Sequence, residues 1–167
     1  MTAARAGGEA EPTGPVEDYL KAIYEIELGG DAAATNDIAQ RLAIAPASVS
    51  GMVRRLADQG LVSYERYRGV RLTSSGRRVA LRTLRRHRVI ETYLVRALGY
   101  PWDRVHDEAE RLEHAASDEL IDRMAAALGD PAFDPHGAPI PSRDGAVDEG
   151  RPVPLAGRPS RGSRAQG

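Results

Sequence analysis

Four residues in the second half of the chain, His106, Glu110, Glu113 and His114, have the types and spacing of an oxygen- and nitrogen-donor cation site. At about 100° per residue, taking His106 as zero puts Glu110 at ~40°, Glu113 at ~340° and His114 at ~80°, so the four share an arc of about 100° on one helix. Val105, Ala109, Leu112 and Ala116 fall alongside, which sets the arc on the border of a buried face. His87 and Glu91 repeat the pairing one turn apart on an earlier helix, on the face that carries Leu84, Leu94 and Leu98. A histidine and a carboxylate on an apolar face need a partner, and a shared cation would supply one. An internal His87–Glu91 pair and a solvated acidic surface are the alternatives. His136 follows Pro135 in a Pro/Gly-rich turn and reads as structural. The chain has no cysteine, and carboxylate with imidazole favours Mn(II) or Fe(II) over Cu(I) or thiolate-bound Zn(II).

A second chemistry is written in the charges. Over 167 residues, 23 basic and 24 acidic side chains nearly cancel, yet the net is +9 over 35–104 and −9 over 106–149, with −5 over 1–34 and +4 over 150–167. The basic stretch suits a polyanion and the acidic one a cation. Of the basic residues 22 are Arg and only Lys21 is Lys, a bias that a G+C-rich genome explains. The absence of cysteine excludes a disulfide scaffold and a cysteine nucleophile, and makes the cytoplasm the expected compartment. No apolar run approaches the ~18 residues of a membrane span, and the N-terminus lacks the apolar core of a signal peptide, so no membrane partner is expected. An enzyme is not expected either: Glu110-x-x-Glu113-His114 lacks the Glu-x-x-His spacing of di-iron bundles, and no phosphate-binding glycine loop appears.

These residues need elements to hold them. Pro15 opens a helix with Val16, Tyr19, Leu20, Ile23 and Ile26 on one stripe, ending at Gly29-Gly30. Thr35 can cap a short second helix with Ile38, Ala39 and Leu42 inward. After a turn plugged by Ile44, a third helix begins at Pro46 and buries Val49, Met52, Val53 and Leu56. Leu61 to Thr73 reads as a β-hairpin with Tyr67-Arg68-Gly69 at its tip. Ser74 or Ser75 caps a long helix to about Leu98, a fifth helix covers about 103–115, and Ser117 starts a sixth that stops at Gly129. Residues 1–14 are expected to form a disordered arm and 142–167 a disordered tail without a packed domain.

Two short helices, a tight turn and a basic hairpin describe a winged helix-turn-helix over 15–75. Its third helix exposes Ser48, Ser50, Gly51, Arg54 and Arg55. Short hydroxyls at a helix N-terminus suit phosphates and base edges, while Arg54, Arg55, Arg66, Arg68 and Arg71 suit phosphates. A solvated three-helix core with an arginine-rich face is the alternative.

Taken in order, these motifs resemble the diphtheria toxin repressor and manganese transport regulator family of metal-dependent transcriptional repressors. The resemblance spans about Val16 to Pro141 and rests on several motifs in sequence. They are Glu17-Asp18-Tyr19-Leu20 with Ile23-Tyr24-Glu25, the segment Asp37 to Leu56, Leu72-Thr73-x-x-Gly76, and His87-x-x-x-Glu91. Val105 to His114, Ser117-Asp118-Glu119 and Pro135-His136-Gly137-x-Pro139-Ile140-Pro141 complete the set.

The resemblance implies a mainly α protein, a winged helix-turn-helix followed by a helical metal-binding and dimerisation domain over 76–141. It further implies a homodimer on double-stranded operator DNA, repressing metal-uptake genes. Its primary metal site falls on Asp18, Glu110, Glu113 and His114, and its ancillary site on His87, Glu91 and His106. Periodicity alone leaves Asp18 on the polar side of the first helix, with a salt bridge to Lys21 as its default. Asp18 and Glu110 stand where manganese-responsive members carry Asp and Glu, so Mn(II) is favoured and Fe(II) is second. Small members place another carboxylate where this chain has Lys21, so two separated sites are expected rather than a close metal pair. No SH3-like domain is expected in 142–167, which would leave the ancillary site short of that domain's ligands. The base-facing positions fall on Ala47 and Gly51, with Thr35 joining the DNA-facing set, so direct readout is sparse and DNA shape would supply the rest. Without metal, like charges are expected to splay the first helix away. A winged-helix regulator sensing a small molecule remains the alternative.

Overall fold

The computed structural model describes residues 11–148; most of the expected arm (1–10) and of the expected tail (149–167) lies outside the described residues. Helix α1 (Gly14–Glu27) starts one residue ahead of Pro15, with Thr13 at its N-cap, and buries Val16, Tyr19, Leu20 and Ile23 as their spacing predicts. Helices α2 (Thr35–Leu42) and α3 (Pro46–Asp58) bury Ile38, Ala39, Val49, Val53 and Leu56 in the same core. Two expectations about their ends change. Ala34 is the N-cap of α2 and makes no side-chain cap bond, so Thr35 is the first helical residue. Ile44 is 37% exposed rather than a plug: Ala43 adopts φ +55°, and the turn is closed by backbone bonds from Ala43 to Gln40 (3.3 Å) and from Ile44 to Ala39 (3.0 Å).

Strands β1 (Val62–Glu65) and β2 (Gly69–Leu72) form the antiparallel hairpin, in a register from Val62↔Leu72 to Glu65↔Gly69. Sequence pattern does not reveal that Ala33, between α1 and α2, adds a two-bond bridge to Val70 (2.9 and 2.8 Å). The hairpin is thereby tied to the loop that leads into α2.

Helix α4 (Ser74–Leu98) is 25 residues, about 37 Å long, and joins two cores. Its N-terminal half closes the core of α1, α2, α3 and the hairpin; its C-terminal half packs Val89, Ile90 and Leu94 on α5 (Val105–Glu113) and α6 (Asp118–Ala127). Thr73, not Ser74 or Ser75, caps α4. Its hydroxyl donates to the Gly60 carbonyl (2.7 Å) and accepts from the Gly76 amide (3.1 Å). Ser117 caps α6 as expected. Helix α5 is shorter than the expected 103–115: it begins after a turn closed by the Arg104 amide on the Pro101 carbonyl, and His114 is its C-cap. Leu112 is 40% exposed despite lying in the apolar stripe. Residues 142–148 are not chain without structure: Ser142 closes a turn with Ala146 (2.8 and 3.0 Å), and Arg143 reaches Asp122 on α6 at 3.0 Å.

The Leu72-Thr73-x-x-Gly76 motif has a steric reason. A Cβ at Gly76 would lie 1.9 Å from the backbone carbonyl oxygen of Leu61, so only glycine lets α4 start against the hairpin. Gly76→Ala is expected to cost about 3 kcal/mol in urea denaturation; a loss under about 1 kcal/mol would show that the hairpin can yield.

Candidate metal centre and nucleic-acid surface

The centre is built around Glu113, the last residue of α5, whose side chain has no solvent exposure. Asp18 on α1 and His114 join it: His114 Nε2 lies 2.8 Å from Asp18 Oδ1 and 3.6 Å from Glu113 Oε1. These three side chains present donor atoms within 4.8 Å of one another. Glu110, named with them from the sequence, sits apart. Its half-exposed carboxylate is turned to His106 Nε2 (3.2 Å), with Lys21 Nζ 3.9 Å away. Lys21 is the default partner that periodicity offers Asp18, yet its ammonium lies 2.5 Å from Glu113 Oε1. The like charges expected to splay α1 are answered by this ion pair.

His87, Glu91 and His106 form a second cluster. His87 Nε2 is 2.9 Å from Glu91 Oε1 and 3.1 Å from His106 Nδ1, which is itself 3.2 Å from Glu91 Oε1. The two clusters touch through a short contact between His87 Nδ1 and Glu113 Oε2. His136, read as structural from the sequence, faces the other Glu91 oxygen at 3.3 Å, with Asp134 beside it. Its Nε2 is 3.0 Å from the Trp102 carbonyl, which leaves Nδ1 as the nitrogen directed at the carboxylate. Period and spacing cannot show this, because the approach depends on long-range bonds. Arg85 and Arg88 of α4 donate to the Pro141 (3.0 Å) and Pro139 (2.5 Å) carbonyls and hold the turn that carries His136 against α4.

Burial and pairing set the protonation of these groups. Burial alone would lower the His87 pKa, but hydrogen bonds to Glu113 and Glu91 outweigh it and push it up to about 9. Burial would raise Glu91 and Glu113, and their bonds to His87, with the Lys21 charge at Glu113, bring both below the usual carboxylate range. Asp18 is raised, since its burial outweighs the charges of His114 and Lys21.

Spacing gives Glu17 no role beyond its place in a motif. Its Oε2 accepts from the Thr83 hydroxyl (2.9 Å) and from Arg86 (3.3 Å), and its Oε1 lies 3.7 Å from His114 Nδ1, a buried atom with no hydrogen-bond partner. At that distance Glu17 places negative charge behind the imidazole without a hydrogen bond to it. The signal available in the sequence is its position next to Asp18, one residue round the helix toward the core.

The candidate nucleic-acid residues lie on α3 and the hairpin. Ala47, Ser48, Ser50, Gly51, Arg54 and Arg55 of α3 are exposed, as are Arg66, Arg68 and Arg71 of the hairpin, while Thr35 is half-buried. Tyr67, at the hairpin tip with φ +69°, is 91% exposed and lies under the Arg66 guanidinium. No helix among the described residues is long and apolar enough to cross a membrane.

Residues 13–70 match the family model of the iron-dependent repressor N-terminal DNA-binding domain, and residues 73–142 that of the iron-dependent repressor metal-binding and dimerisation domain. The chain belongs to the iron-dependent repressor family. It is 38% identical over 128 residues to the diphtheria toxin repressor of Corynebacterium jeikeium, covering 77% of this chain and 53% of that protein. It is 37% identical over 114 residues to the transcriptional regulator MntR of Lysinibacillus sphaericus, covering 68% and 81%. A manganese-dependent transcriptional repressor solved in complex with manganese superposes with a TM-score of 0.72 at 47% identity, over 84% of this chain and 63% of that one. The chain thus spans about half the length of the diphtheria toxin repressor it matches. The boundary between the two family models falls where Thr73 caps α4.

The His87 pair gives this centre a pH dependence in the metal-free protein. His87 holds its proton to about pH 9 when folded, against 6.5 for an ordinary imidazole, so its stabilisation is complete below pH 6.5 and is lost as the pH rises toward 9. The carboxylates, both lowered, stay ionised across that window. Chelator-treated protein is expected to show a urea midpoint that declines from pH 6.5 to 9; a flat profile would contradict the His87–Glu113 pairing.

Proposed function

We propose that the chain is a metal-dependent, DNA-binding transcriptional regulator, a repressor of metal-uptake genes, acting as a homodimer in the cytoplasm. Mn(II) is the favoured effector and Fe(II) the second. The observation that carries this reading is the 2.8 Å contact between Asp18 and His114 beside buried Glu113. It joins a residue of the DNA-binding segment to residues of the metal-binding segment.

The donor set fits such an ion, being carboxylate oxygen and imidazole nitrogen with no sulfur. Asp18, Glu113 and His114 would hold it, and Glu110 is about one helical turn from Glu113; His87, Glu91 and His106 would form the ancillary set. A bound divalent ion would supply, at one point, the positive charge that fixes α1 to the end of α5. Glu17 sets a negative charge behind His114, and α1 would pass the constraint on. Glu27 accepts from the Leu72 amide of β2 at 3.0 Å, and Glu25 pairs with Arg41 of α2. The position of α1 therefore bears on the α2–α3 pair and on the hairpin. Ala47, Ser48, Ser50 and Gly51 would approach base edges, with Arg54, Arg55, Arg66, Arg68 and Arg71 on phosphates and Thr35 at the rim. In a dimer the two reading units would address half-sites about 34 Å apart or a multiple of it. Exposed Leu98, Trp102 (63%) and Leu112 support pairing through the C-terminal helical region.

A small-molecule effector is less well supported. The groove beside the centre, about 740 Å³, is lined by Asp18, Lys21, Glu25, Arg41, His106 and Glu110, an ionic rather than apolar wall.

Fluorescence anisotropy with a duplex enriched from a random pool in the presence of Mn(II) tests this reading. Chelation is expected to weaken binding about 5- to 150-fold, and Glu113→Ala to abolish the response to metal. Arg68→Ala should lower the salt slope by about 1. Equal affinity with and without metal would sink the proposal.

A further inference from the structure

Lys21 is the one lysine in a chain with 22 arginines, and it lies inside the candidate metal centre. Its side chain is 10% exposed, with Nζ 2.5 Å from Glu113 Oε1 and 3.9 Å from Glu110 Oε1. Glu113 Oε1 is also the oxygen that lies 3.6 Å from His114 Nε2, while Oε2 is occupied by His87. The ammonium and the Asp18–His114 pair thus address the same carboxylate oxygen. We propose that Lys21 is a resident cation of the centre: it ties α1 to α5 in the metal-free protein, competes with the divalent ion for Glu113 Oε1, and so sets the affinity of capture. This rests on the metal-regulator reading above.

A buried carboxylate needs a compensating charge, and Lys21 supplies one from the helix that a metal would also tether. An ammonium and a divalent ion on one oxygen repel each other, so capture requires Nζ to withdraw. The groove that Lys21 lines beside the centre gives the ammonium room to withdraw. A compact charge on a flexible four-carbon stem can make that move, whereas the planar fork of an arginine is held by its two-pronged geometry. Metal activation in this chain is then the exchange of a monovalent tether for a divalent one, starting from a docked helix.

The test is Mn(II) titration, read by electron paramagnetic resonance of the free ion, on wild type, Lys21→Met and Lys21→Gln, with melting of the chelated proteins. Both variants are expected to bind Mn(II) about tenfold more tightly, and Lys21→Met to melt about 5 °C lower without metal. Arg111→Gln removes the same charge from the same groove and is expected to leave Mn(II) affinity within about twofold. Should Lys21→Met not fold, Lys21→Gln, which keeps a donor to Glu113, carries the measurement. Unchanged or weaker affinity in the Lys21 variants overturns the proposal, as does an equal gain in Arg111→Gln, which would reduce the effect to net charge. If neither wild type nor any variant binds Mn(II), the metal-regulator reading falls and this proposal with it.

Discussion

Glu113 carries a carboxylate where no solvent reaches, and what that burial demands organises the elements around it. Lys21 comes from α1, His87 from α4, and His114 from the end of α5 itself. If α1 moved away, Lys21 would leave Glu113 and Asp18 would leave His114, and the buried charge would keep only His87 and the more distant His114. The docking of α1 is therefore an electrostatic requirement as much as a matter of the apolar stripe that Val16, Tyr19, Leu20 and Ile23 provide.

That dependence makes α1 the element through which the two halves communicate. Its apolar face is shared with α2, α3 and the hairpin in one core. Besides Asp18 and Lys21 at the end of α5, its polar residues reach three more neighbours: Glu25 to Arg41 of α2, Glu27 to the Leu72 amide of β2, and Glu17 to Thr83 and Arg86 of α4. A change at Asp18 or Lys21 acts on a helix that is already bonded to α2 and to the hairpin, so no longer chain of contacts has to be invoked.

Helices α1, α3 and α6 are legible in the sequence because each carries its own stripe, a start signal (Pro15, Pro46 or Ser117) and a glycine past its end. Helix ends are less so where backbone bonds, not side chains, close them, as at Ala34 and Ala43. For the site, helical spacing is enough to nominate His87, Glu91, His106, Glu113 and His114, since those residues share faces on two helices. It does not rank Glu110 against Glu113, because the difference between a half-exposed and a buried carboxylate depends on where α1 and Lys21 pack. Nor does it find Asp134 and His136, which reach Glu91 only because Arg85 and Arg88 bond carbonyls of the Pro-rich turn.

The charge segregation along the chain is only partly a segregation in space. Arg82 and Arg86 of α4 bond Asp118, Arg85 bonds Asp122, and Arg86 also reaches Glu17. These arginines belong to the basic stretch by position, yet they neutralise the acidic stretch and brace α4 against α1 and α6. The positive surface left for a polyanion is the smaller set on α3 and the hairpin, where Arg54, Arg55, Arg66 and Arg71 face solvent without a carboxylate partner among the described ion pairs and Arg68 pairs only with exposed Glu65. On the acidic side, Asp118 and Asp122 are answered by arginine and Glu113 by Lys21, whereas exposed Asp107, Asp130, Asp144 and Asp148 have no partner among the described ion pairs. Arginine pairing thus shrinks both fields, which a count by segment makes too broad.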